Sequence, residues 1–296
     1  MAVLFTKRKA ATKVASKTIV SIVMEQLKQE KEVSEAFSRQ SPVFDAIDDA
    51  NSIILWMRDR VRKEVANYML PQSTVLELNC GTGIDSVYFA KQGHSVLATD
   101  NAEGMLNTLN QKITQNNIQH IETMRCSFNN LENIQERQFD YVFSNFGGLN
   151  CTDKLDKVLT DIDRLLKPGG YFSLVIMPTV CPWEMLMLFK GYFKTAFRRF
   201  KKHGADAHLE GVHFQCYYYN PSYITSRMQE RFQLKSLKAL SLTVPPPYIE
   251  HFMEKHPKMF KVLERLEDKL CTTTPFNNWG DHYVITMQKN QDANNS

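Results

Sequence analysis

The sequence predicts a doubly wound α/β fold, in which helices cover both faces of a mostly parallel sheet. Short apolar segments alternate with segments of helical periodicity between Thr74 and Met177, an order typical of right-handed βαβ units. A glycine-containing turn also stands directly between the first strand and the first helix of this series. The 296 residues suffice for one such domain with sizeable insertions.

The expected elements follow in a regular order. Helical spacing of apolar residues predicts helices over 17–38 and 45–70, before the sheet begins. Strands are expected at 74–79, 95–100, 121–126, 139–145, 171–177, 232–240 and 282–288, and further helices at 85–92, 102–116, 154–166 and 221–230.

Two insertions interrupt the later part of this pattern, at 178–220 and 245–275. We expect both to be helical lids, because each carries an apolar face at helical spacing that needs burial. Both leave strands at or next to the ligand-binding edge of the sheet, so they are predicted to close over one pocket. The domain should extend over 41–290, between a basic arm and helix at 1–40 and a disordered tail at 291–296.

Composition and charge argue against several classes of protein. The formal net charge of +4 is small, which argues against nucleic acid as an obligate partner. Six scattered cysteines without a CxxC pair indicate neither a zinc site nor a disulfide framework. The sequence contains no run of 18 apolar residues, so no transmembrane helix is predicted. We therefore predict a cytoplasmic protein, with organelle targeting by the basic residues 1–24 as the alternative.

The loop after the first strand, Glu77-Leu78-Asn79-Cys80-Gly81-Thr82-Gly83, carries the strongest functional signal. Its glycines let the backbone bend tightly and approach a ligand closely. Asp100 ends the next strand, where a carboxylate can accept both hydroxyls of a ribose. Since ligands of open α/β sheets bind at the carboxyl ends of the strands, the two features predict a nucleoside-containing ligand.

The same loop argues against a dinucleotide. Ser86 stands where a dinucleotide-binding fold has its third glycine, and Asp85 near the helix start would repel a pyrophosphate. A cationic or neutral ligand suits this loop better. A nicotinamide-dependent dehydrogenase is therefore the weaker alternative.

Three segments, VLELNCGTG, LATDNAEGML and LLKPGGYFSLVIM, resemble the first, second and strand-five motifs of class I S-adenosylmethionine-dependent methyltransferases. The resemblance covers roughly 40–177, more weakly to 288, and implies seven strands with the last one antiparallel. It also implies S-adenosyl-L-methionine as the cofactor. The implied cofactor-binding residues are Glu77, Asn79, Gly81, Thr82, Gly83 and Asp85 after strand one, Asp100, Ala102 and Met105 after strand two, Ser127 and Phe128 after strand three, and Asn145 and Phe146 after strand four.

In this resemblance, Glu77 and the two glycines of the loop contact the methionine half of the cofactor. Asp100 binds the ribose, and Ala102 and Met105 flank the adenine. Two positions depart from the family pattern. Asn79 stands where glycine is commonest, so a slightly different backbone is expected there. Ser127 stands where the family often has an aspartate against the adenine amine, so a weaker contact is expected.

The acceptor is expected near the loop after strand four and the start of the last strand. An antiparallel last strand places Asp281 and His282 at the mouth of the site, where His282 can take a proton from a hydroxyl with help from Asp281. His213 is the alternative base, and a purely structural histidine is an equally good interpretation of either. No clear cluster of acidic ligands is present, so no metal is predicted.

These features predict methyl transfer to a small apolar or aromatic acceptor, most simply at oxygen. The alternatives are N-methylation of a lipid or amine, which needs no histidine base, and a catalytically silent cofactor-binding partner protein. The sequence leaves the oligomeric state open.

Segment 183–202 carries phenylalanines at helical spacing among basic residues, which predicts a basic amphipathic helix. This helix is interpreted either as a lid with a solvated outer face or as a contact with a membrane surface or lipid-like substrate.

Overall fold

The computed structural model describes residues 24, 25 and 27–291. The predicted basic arm, the first part of the helix expected at 17–38 and residues 292–296 of the expected tail lie outside the described residues.

A seven-stranded sheet forms the centre of the domain. Its strands are β1 (Thr74–Leu78), β2 (Ser95–Asp100), β3 (Ile121–Arg125), β4 (Phe139–Ser144), β5 (Leu166–Ile176), β8 (Phe232–Leu240) and β9 (His282–Lys289), while β6 (Ala205–Leu209) and β7 (Val212–Cys216) form a separate hairpin. The sheet order is β3-β2-β1-β4-β5-β9-β8. Strands β1 to β5 pair in parallel, and β9 pairs antiparallel with both neighbours. The predicted doubly wound sheet with a reversed last strand is confirmed.

Helices cover both faces of this sheet. They are α1 (27–40), α2 (Phe44–Ala50), α3 (Ser52–Ala66), α4 (Ile84–Lys91), α5 (Glu103–Gln115), α6 (Leu155–Leu165), α7 (Pro182–Met185), α8 (Phe193–Ala196), α9 (Pro221–Met228), α10 (Phe252–Lys255) and α11 (Pro257–Leu270). One apolar core joins α6 and α9 to one face. The other core joins α3, α4, α5 and α11 to the opposite face. None of the helices in the described part of the chain is long and apolar enough to cross a membrane.

The helix expected at 45–70 is two helices, α2 and α3, separated at Asn51. The Asn51 side chain accepts hydrogen bonds from the backbone N–H groups of Ile53 and Ile54. An asparagine in this position satisfies donors that have no partner in the first turn of a helix, and so it starts a new helix. The interruption places α2 beside the first loop of the sheet, where Asp45 accepts a hydrogen bond from the Thr82 hydroxyl.

The first insertion differs from its prediction. In place of one amphipathic helix at 183–202, it contains the short helices α7 and α8 and two 3₁₀ turns, Leu186–Lys190 and Arg198–Phe200. Gly191, with φ of +77°, ends the first of these turns. Arg198 and Arg199 then fold back onto Glu184. The predicted helix is therefore wrong, because these ion pairs and the left-handed glycine outweigh the helical spacing of the phenylalanines.

The second insertion is helical, as expected. Its main helix, α11, packs on β8 and α3, and the Trp56 indole of α3 donates a hydrogen bond of 2.8 Å to Glu264. The two insertions meet each other where the rings of Trp183 and Phe252 lie 6.4 Å apart.

Candidate functional site

A cavity lies at the carboxyl ends of β1, β2 and β4, where the strand order reverses, and α1 covers it. Its space is about 970 Å³, including the part that is open to solvent. Most of the predicted cofactor residues line it: Glu77, Asn79, Gly81, Asp85, Asp100, Ala102, Met105, Ser127, Phe128, Asn145 and Phe146. The sequence motifs therefore meet in one place.

Thr82 and Gly83, the two other predicted cofactor residues, are not among the lining residues. The Thr82 side chain is buried and bonded to Asp45. Gly83 has φ of +77°, and a Cβ there would lie 2.2 Å from Leu109 Cδ1. Only glycine fits this close approach of α4 to α5 without strain. Both residues thus support the loop through contacts outside the cavity.

Asn79 occupies the position where the related pattern has glycine. Its φ of +46° lies in the left-handed region, which asparagine tolerates better than most residues. Its Nδ2 donates to the Asn145 carbonyl at 3.1 Å, and its Oδ1 accepts from the Ser144 hydroxyl at 2.6 Å. The backbone therefore keeps a glycine-like turn, and the side chain fixes the loop after β1 to the loop after β4.

Asp100 lines the cavity where β2 ends. Its carboxylate accepts hydrogen bonds from the backbone N–H groups of Gly81 at 2.9 Å and Ala102 at 2.8 Å. Burial raises the pKa of Asp100, and the backbone donors offset this only in part. Within the described chain it forms no salt bridge with a cationic side chain. Since each carboxylate oxygen can accept more than one hydrogen bond, Asp100 remains able to accept ligand hydroxyls.

Asp85, at the other end of the cavity, is surrounded by donors. Its carboxylate binds the guanidinium groups of Arg58 and Arg62 and accepts from Asn145 Nδ2 at 2.8 Å. The carboxylate is 3% exposed. The negative charge of Asp85, expected from the sequence to repel a pyrophosphate, is balanced by these two arginines of α3.

Arg58 is a lining residue that the sequence analysis missed. It is 6% exposed, binds both Asp85 and Asp48, and lies 4.6 Å from the centre of the Phe146 ring. Its Nε has no hydrogen-bond partner in the described structure. No local pattern indicates this role, because Arg58 continues the helical spacing of the buried face of α3. A buried N–H without a partner beside a cavity suits an anionic ligand group.

Glu77 lies deep beneath the loop and accepts a hydrogen bond from the Ser86 hydroxyl. Burial, followed by the nearby charge of Asp85, raises its pKa well above the usual range. The serine in the third glycine position therefore has a structural role, since it satisfies a buried carboxyl group.

Helix α1 closes the cavity, a role that the sequence analysis did not predict. Its Glu30, Val33, Ser34 and Phe37 line the cavity. The Ser34 hydroxyl donates to the Asn101 carbonyl at 3.0 Å. No residue of either insertion lines this cavity, so the prediction that the insertions close over it is wrong. The first insertion contacts the cavity only indirectly. Phe214 of its hairpin strand β7 packs against Phe37 of α1, which lines the cavity.

Glu30 also takes part in the loop after β3. Its carboxylate accepts from Asn129 Nδ2 at 2.6 Å and from the Ser127 hydroxyl at 3.3 Å. A carboxylate from α1 therefore stands beside the position where the family pattern often has an aspartate. Sequence analysis could not find it, because nearly a hundred residues separate Glu30 from this loop.

Asp281 and His282 lie where β9 begins. His282 Nδ1 has no well-aligned hydrogen bond, but it lies 3.0 Å from Asp281 Oδ2. The His282 ring is 6.1 Å from the Phe146 ring, and a Cβ built on Gly147 would lie 3.2 Å from His282 Nε2. The imidazole thus approaches the loop after β4, one end of which lines the cavity.

Arg199 holds Asp281 in place. The guanidinium bonds Asp281 Oδ1 at 2.7 Å and also binds Glu184. Burial alone raises the pKa of Asp281, but His282 and Arg199 outweigh that effect and hold the pKa below its usual range. The carboxylate is therefore ionised.

One group in the described structure has the spacing of a metal site, namely Cys181, Glu184 and Asp281. Arg199 already binds both carboxylates, and burial raises the pKa of the Cys181 thiol to about 12. A protonated thiol and two arginine-bound carboxylates are poor metal ligands. The absence of a metal remains a prediction.

His213, the alternative base, is exposed on β7, with its ring 4.6 Å from that of His208. Neither His213 nor His282 is among the residues that line the cavity. The contact of His282 with Gly147, in the loop after β4, favours His282 of the two candidates.

Comparison with known proteins decides the family. Residues 75–170 match the family model described as a methyltransferase domain. A demethylmenaquinone methyltransferase of Listeria monocytogenes is 30% identical over 195 residues, which cover 63% of this chain and 79% of that protein. The chain is a class I S-adenosylmethionine-dependent methyltransferase. Its cofactor is S-adenosyl-L-methionine, and it is an enzyme.

Solved structures agree with this fold. The methyltransferase superposes on the Burkholderia thailandensis 1,6-didemethyltoxoflavin-N1-methyltransferase with a TM-score of 0.54 and 14% identity, over 90% of this chain and 91% of that one. A Methanosarcina mazei S-adenosylmethionine-dependent methyltransferase gives 0.52 and 16%, over 77% and 97%. At these identities the likeness concerns the fold alone.

Proposed function

We propose that this methyltransferase transfers a methyl group to an oxygen of a small, apolar aromatic acceptor, with His282 as the general base. The observation that carries this proposal is the position of His282, which stands between the ionised Asp281 and the loop that lines the cofactor cavity. The cofactor supplies a methyl group already activated on positively charged sulfur, so the protein mainly orients the reactants.

The residues at the nucleoside end fit this cofactor. Asp100 is held by backbone donors and is well placed to accept the two ribose hydroxyls. Ala102 and Met105 are apolar lining residues beside it and suit the flanks of the adenine. Glu30 stands next to Ser127, where it can accept a hydrogen bond from the adenine amine.

The other end of the cavity fits the methionine half. Arg58 has one N–H without a partner and is held by two carboxylates, so it can bind the methionine carboxylate without a large change of position. Glu77, with its raised pKa, lies below it in the same cavity. In this arrangement one end of the cavity would bind the methionine carboxylate, and the other end would bind the ribose.

Aromatic side chains in the cavity support an apolar, aromatic acceptor. Phe146, Phe44 and Phe37 all line the cavity. The name of the Listeria relative supports a small-molecule acceptor, since it names demethylmenaquinone. Aromatic walls would position such a ring by stacking or edge contacts.

The base acts through its two nitrogens. An ionised Asp281 beside Nδ1 favours the tautomer with its proton on Nδ1, which leaves the Nε2 lone pair facing the loop after β4. There Nε2 would take the proton of an acceptor hydroxyl as the hydroxyl oxygen replaces sulfur on the methyl carbon. Arg199 keeps Asp281 ionised and in position during this transfer.

The test measures turnover and cofactor affinity of His282→Ala with a panel of naphthols and phenols. We expect turnover to fall by about 10²–10⁴-fold, the usual contribution of a general base, with an unchanged dissociation constant for the cofactor. The fall should be smaller for acceptors whose hydroxyl is already ionised. The chemical shift of a ¹³C-labelled methyl group in the product distinguishes methylation at oxygen from methylation at carbon or nitrogen.

His213→Ala is the matched control and should retain full turnover, because the side chain is exposed on the hairpin. Near-full turnover of His282→Ala on every acceptor would exclude the proposed base. A ¹³C product signal from carbon or nitrogen would exclude methylation at oxygen.

A further inference from the structure

Large apolar side chains lie exposed on the first insertion, between residues 186 and 200. Phe189 exposes 89% of its surface and Phe193 63%. The others, each at least half exposed, are Leu186, Tyr192, Phe197 and Phe200. An exposed apolar patch of this kind marks an interaction site more often than a single exposed leucine does.

The segment that carries them is firmly attached to the domain. Arg199 is 2% exposed and bonds both Glu184 and Asp281. Arg198 bonds Glu184 as well, at 2.7 Å, and Ala196 is buried. Because these contacts fix the backbone on the domain, the phenylalanines face outward as part of a defined surface.

The charge of this surface has one sign. Residues 185–205 contain no aspartate or glutamate. Lys190, Lys194, Lys201 and Lys202 are all exposed, and in the described part of the chain none of the four has a side-chain hydrogen bond or ion pair. Together with the apolar side chains at 186–200, these lysines form what we call the aromatic–lysine surface.

We propose that the aromatic–lysine surface docks on a lipid bilayer that carries anionic headgroups. Phenylalanine has no polar atom and can enter the boundary between headgroups and acyl chains, while tyrosine suits the headgroup level. The lysines are attracted to anionic headgroups, and their aliphatic stems tolerate the apolar boundary. The surface therefore offers rings for the boundary with the acyl chains and lysines for the anionic headgroups.

A second copy of the chain fits this surface less well. A two-fold contact would bring two surfaces that carry only positive charges against each other. Single-stranded nucleic acid would stack on the five rings and leave Leu186 without a role, and it is one outcome of the test. An anionic bilayer satisfies the charge and all six apolar side chains, Leu186 included.

Docking is independent of the identity of the acceptor. Its relation to catalysis rests on the proposed function, because Arg199 connects this surface to Asp281 beside His282. A docked bilayer would then lie on the side of the domain where an apolar acceptor is expected.

The experiment is flotation of the full chain with vesicles of phosphatidylcholine alone or mixed equally with phosphatidylglycerol. We expect strong partition into the mixed vesicles, weak partition into phosphatidylcholine, and a decrease with added salt. Lys190→Ser and Lys194→Ser should each lower partition into the mixed vesicles by about fivefold. The double variant Phe189→Ser with Phe193→Ser should lower it by at least about tenfold on either vesicle.

The matched controls are Leu70→Ser, at a side chain that is 65% exposed, and Lys258→Ser, both outside this surface. They should partition like the unchanged protein. Equal partition of all variants would overturn the proposal, since another segment such as the basic residues 1–24 would then bind the vesicles.

Absence of vesicle binding would also overturn it. So would lipid-free self-association, or retention of a single-stranded oligonucleotide, that the phenylalanine variants abolish. Turnover on a soluble acceptor should be the same in all variants, which separates failure of docking from failure of the proposed chemistry.

Discussion

The two ends of the cavity use the same residue type in opposite ways. Where β2 ends, Asp100 is bonded to backbone N–H groups and has no salt-bridge partner among the described residues. Where α4 begins, Asp85 is saturated by Arg58, Arg62 and Asn145. The first carboxylate is available to a ligand, and the second fixes the arginine that faces it. An acid at the start of a helix is therefore weak evidence about the charge of a ligand.

The largest expected effect tests the structural role of Asp85. Asp85→Ala should lower the free energy of unfolding by about 3–5 kcal/mol, because it removes a carboxylate from the buried Arg58 and from Arg62. Urea unfolding of the protein without ligand measures this. Glu103→Ala, which breaks the exposed pair with Arg125, should cost about 1 kcal/mol or less. An equal decrease in the free energy of unfolding for Asp85→Ala and Glu103→Ala would contradict a structural role of Asp85.

Asp100→Ala should act on affinity. We expect the cofactor to bind more weakly by about 1–3 kcal/mol, since the ribose hydroxyls lose a charged acceptor. Titration calorimetry measures the dissociation constant. Asp100→Asn keeps one acceptor oxygen, so its affinity for the cofactor should lie between those of the unchanged protein and the alanine variant. An unchanged affinity in the alanine variant would remove Asp100 from the site.

Acidification should weaken cofactor binding through the same residue. The pKa of Asp100 is raised in the free protein, and a ribose hydroxyl donates to the charged form. Binding therefore has its full strength above this raised pKa and weakens as the pH falls through it, at a higher pH than for an ordinary aspartate. Calorimetry across pH should show this dependence and its loss in Asp100→Asn. The same slope in that variant would assign the dependence to another group.

The smallest effect concerns Glu30. Glu30→Gln should weaken the preference for the adenine cofactor over its inosine analogue by about 0.5–1.5 kcal/mol, the range of one hydrogen bond. Competition binding of the two cofactors measures it. Glu35→Gln, at an exposed residue of the same helix outside the cavity, is the control. An unchanged preference in Glu30→Gln would indicate that Ser127, and not Glu30, bonds the adenine amine.

The sheet and its loops could be predicted from the sequence because the evidence is local. Asn79 and Gly81 lie within three residues of the end of β1, and Asp100 is the last residue of β2, so the topology alone brings them to one edge. Arg58 and Glu30 could not be found in this way. They lie on helices before β1 and reach the cavity only through packing, and Arg58 has the spacing of an apolar helical face.

The first insertion shows the opposite error, in which a local pattern was misleading. Phenylalanines at helical spacing predicted a helix over 183–202, but the positive φ of Gly191 and the ion pairs to Glu184 favour short turns. The hairpin β6–β7 was also missed. Its turn, Glu210-Gly211, has positive φ at both residues, and a glycine between two short alternating segments was the available signal.

The buried pair of Arg199 and Asp281 limits how this enzyme can be altered. One partner belongs to the first insertion and the other to the end of the sheet, so the insertion is not an independent module. Exchange of this segment for that of another methyltransferase would leave a charged carboxylate in the interior without a cation. The first insertion can therefore diverge or be exchanged only together with the segment around Asp281, which makes the pair a constraint on evolvability.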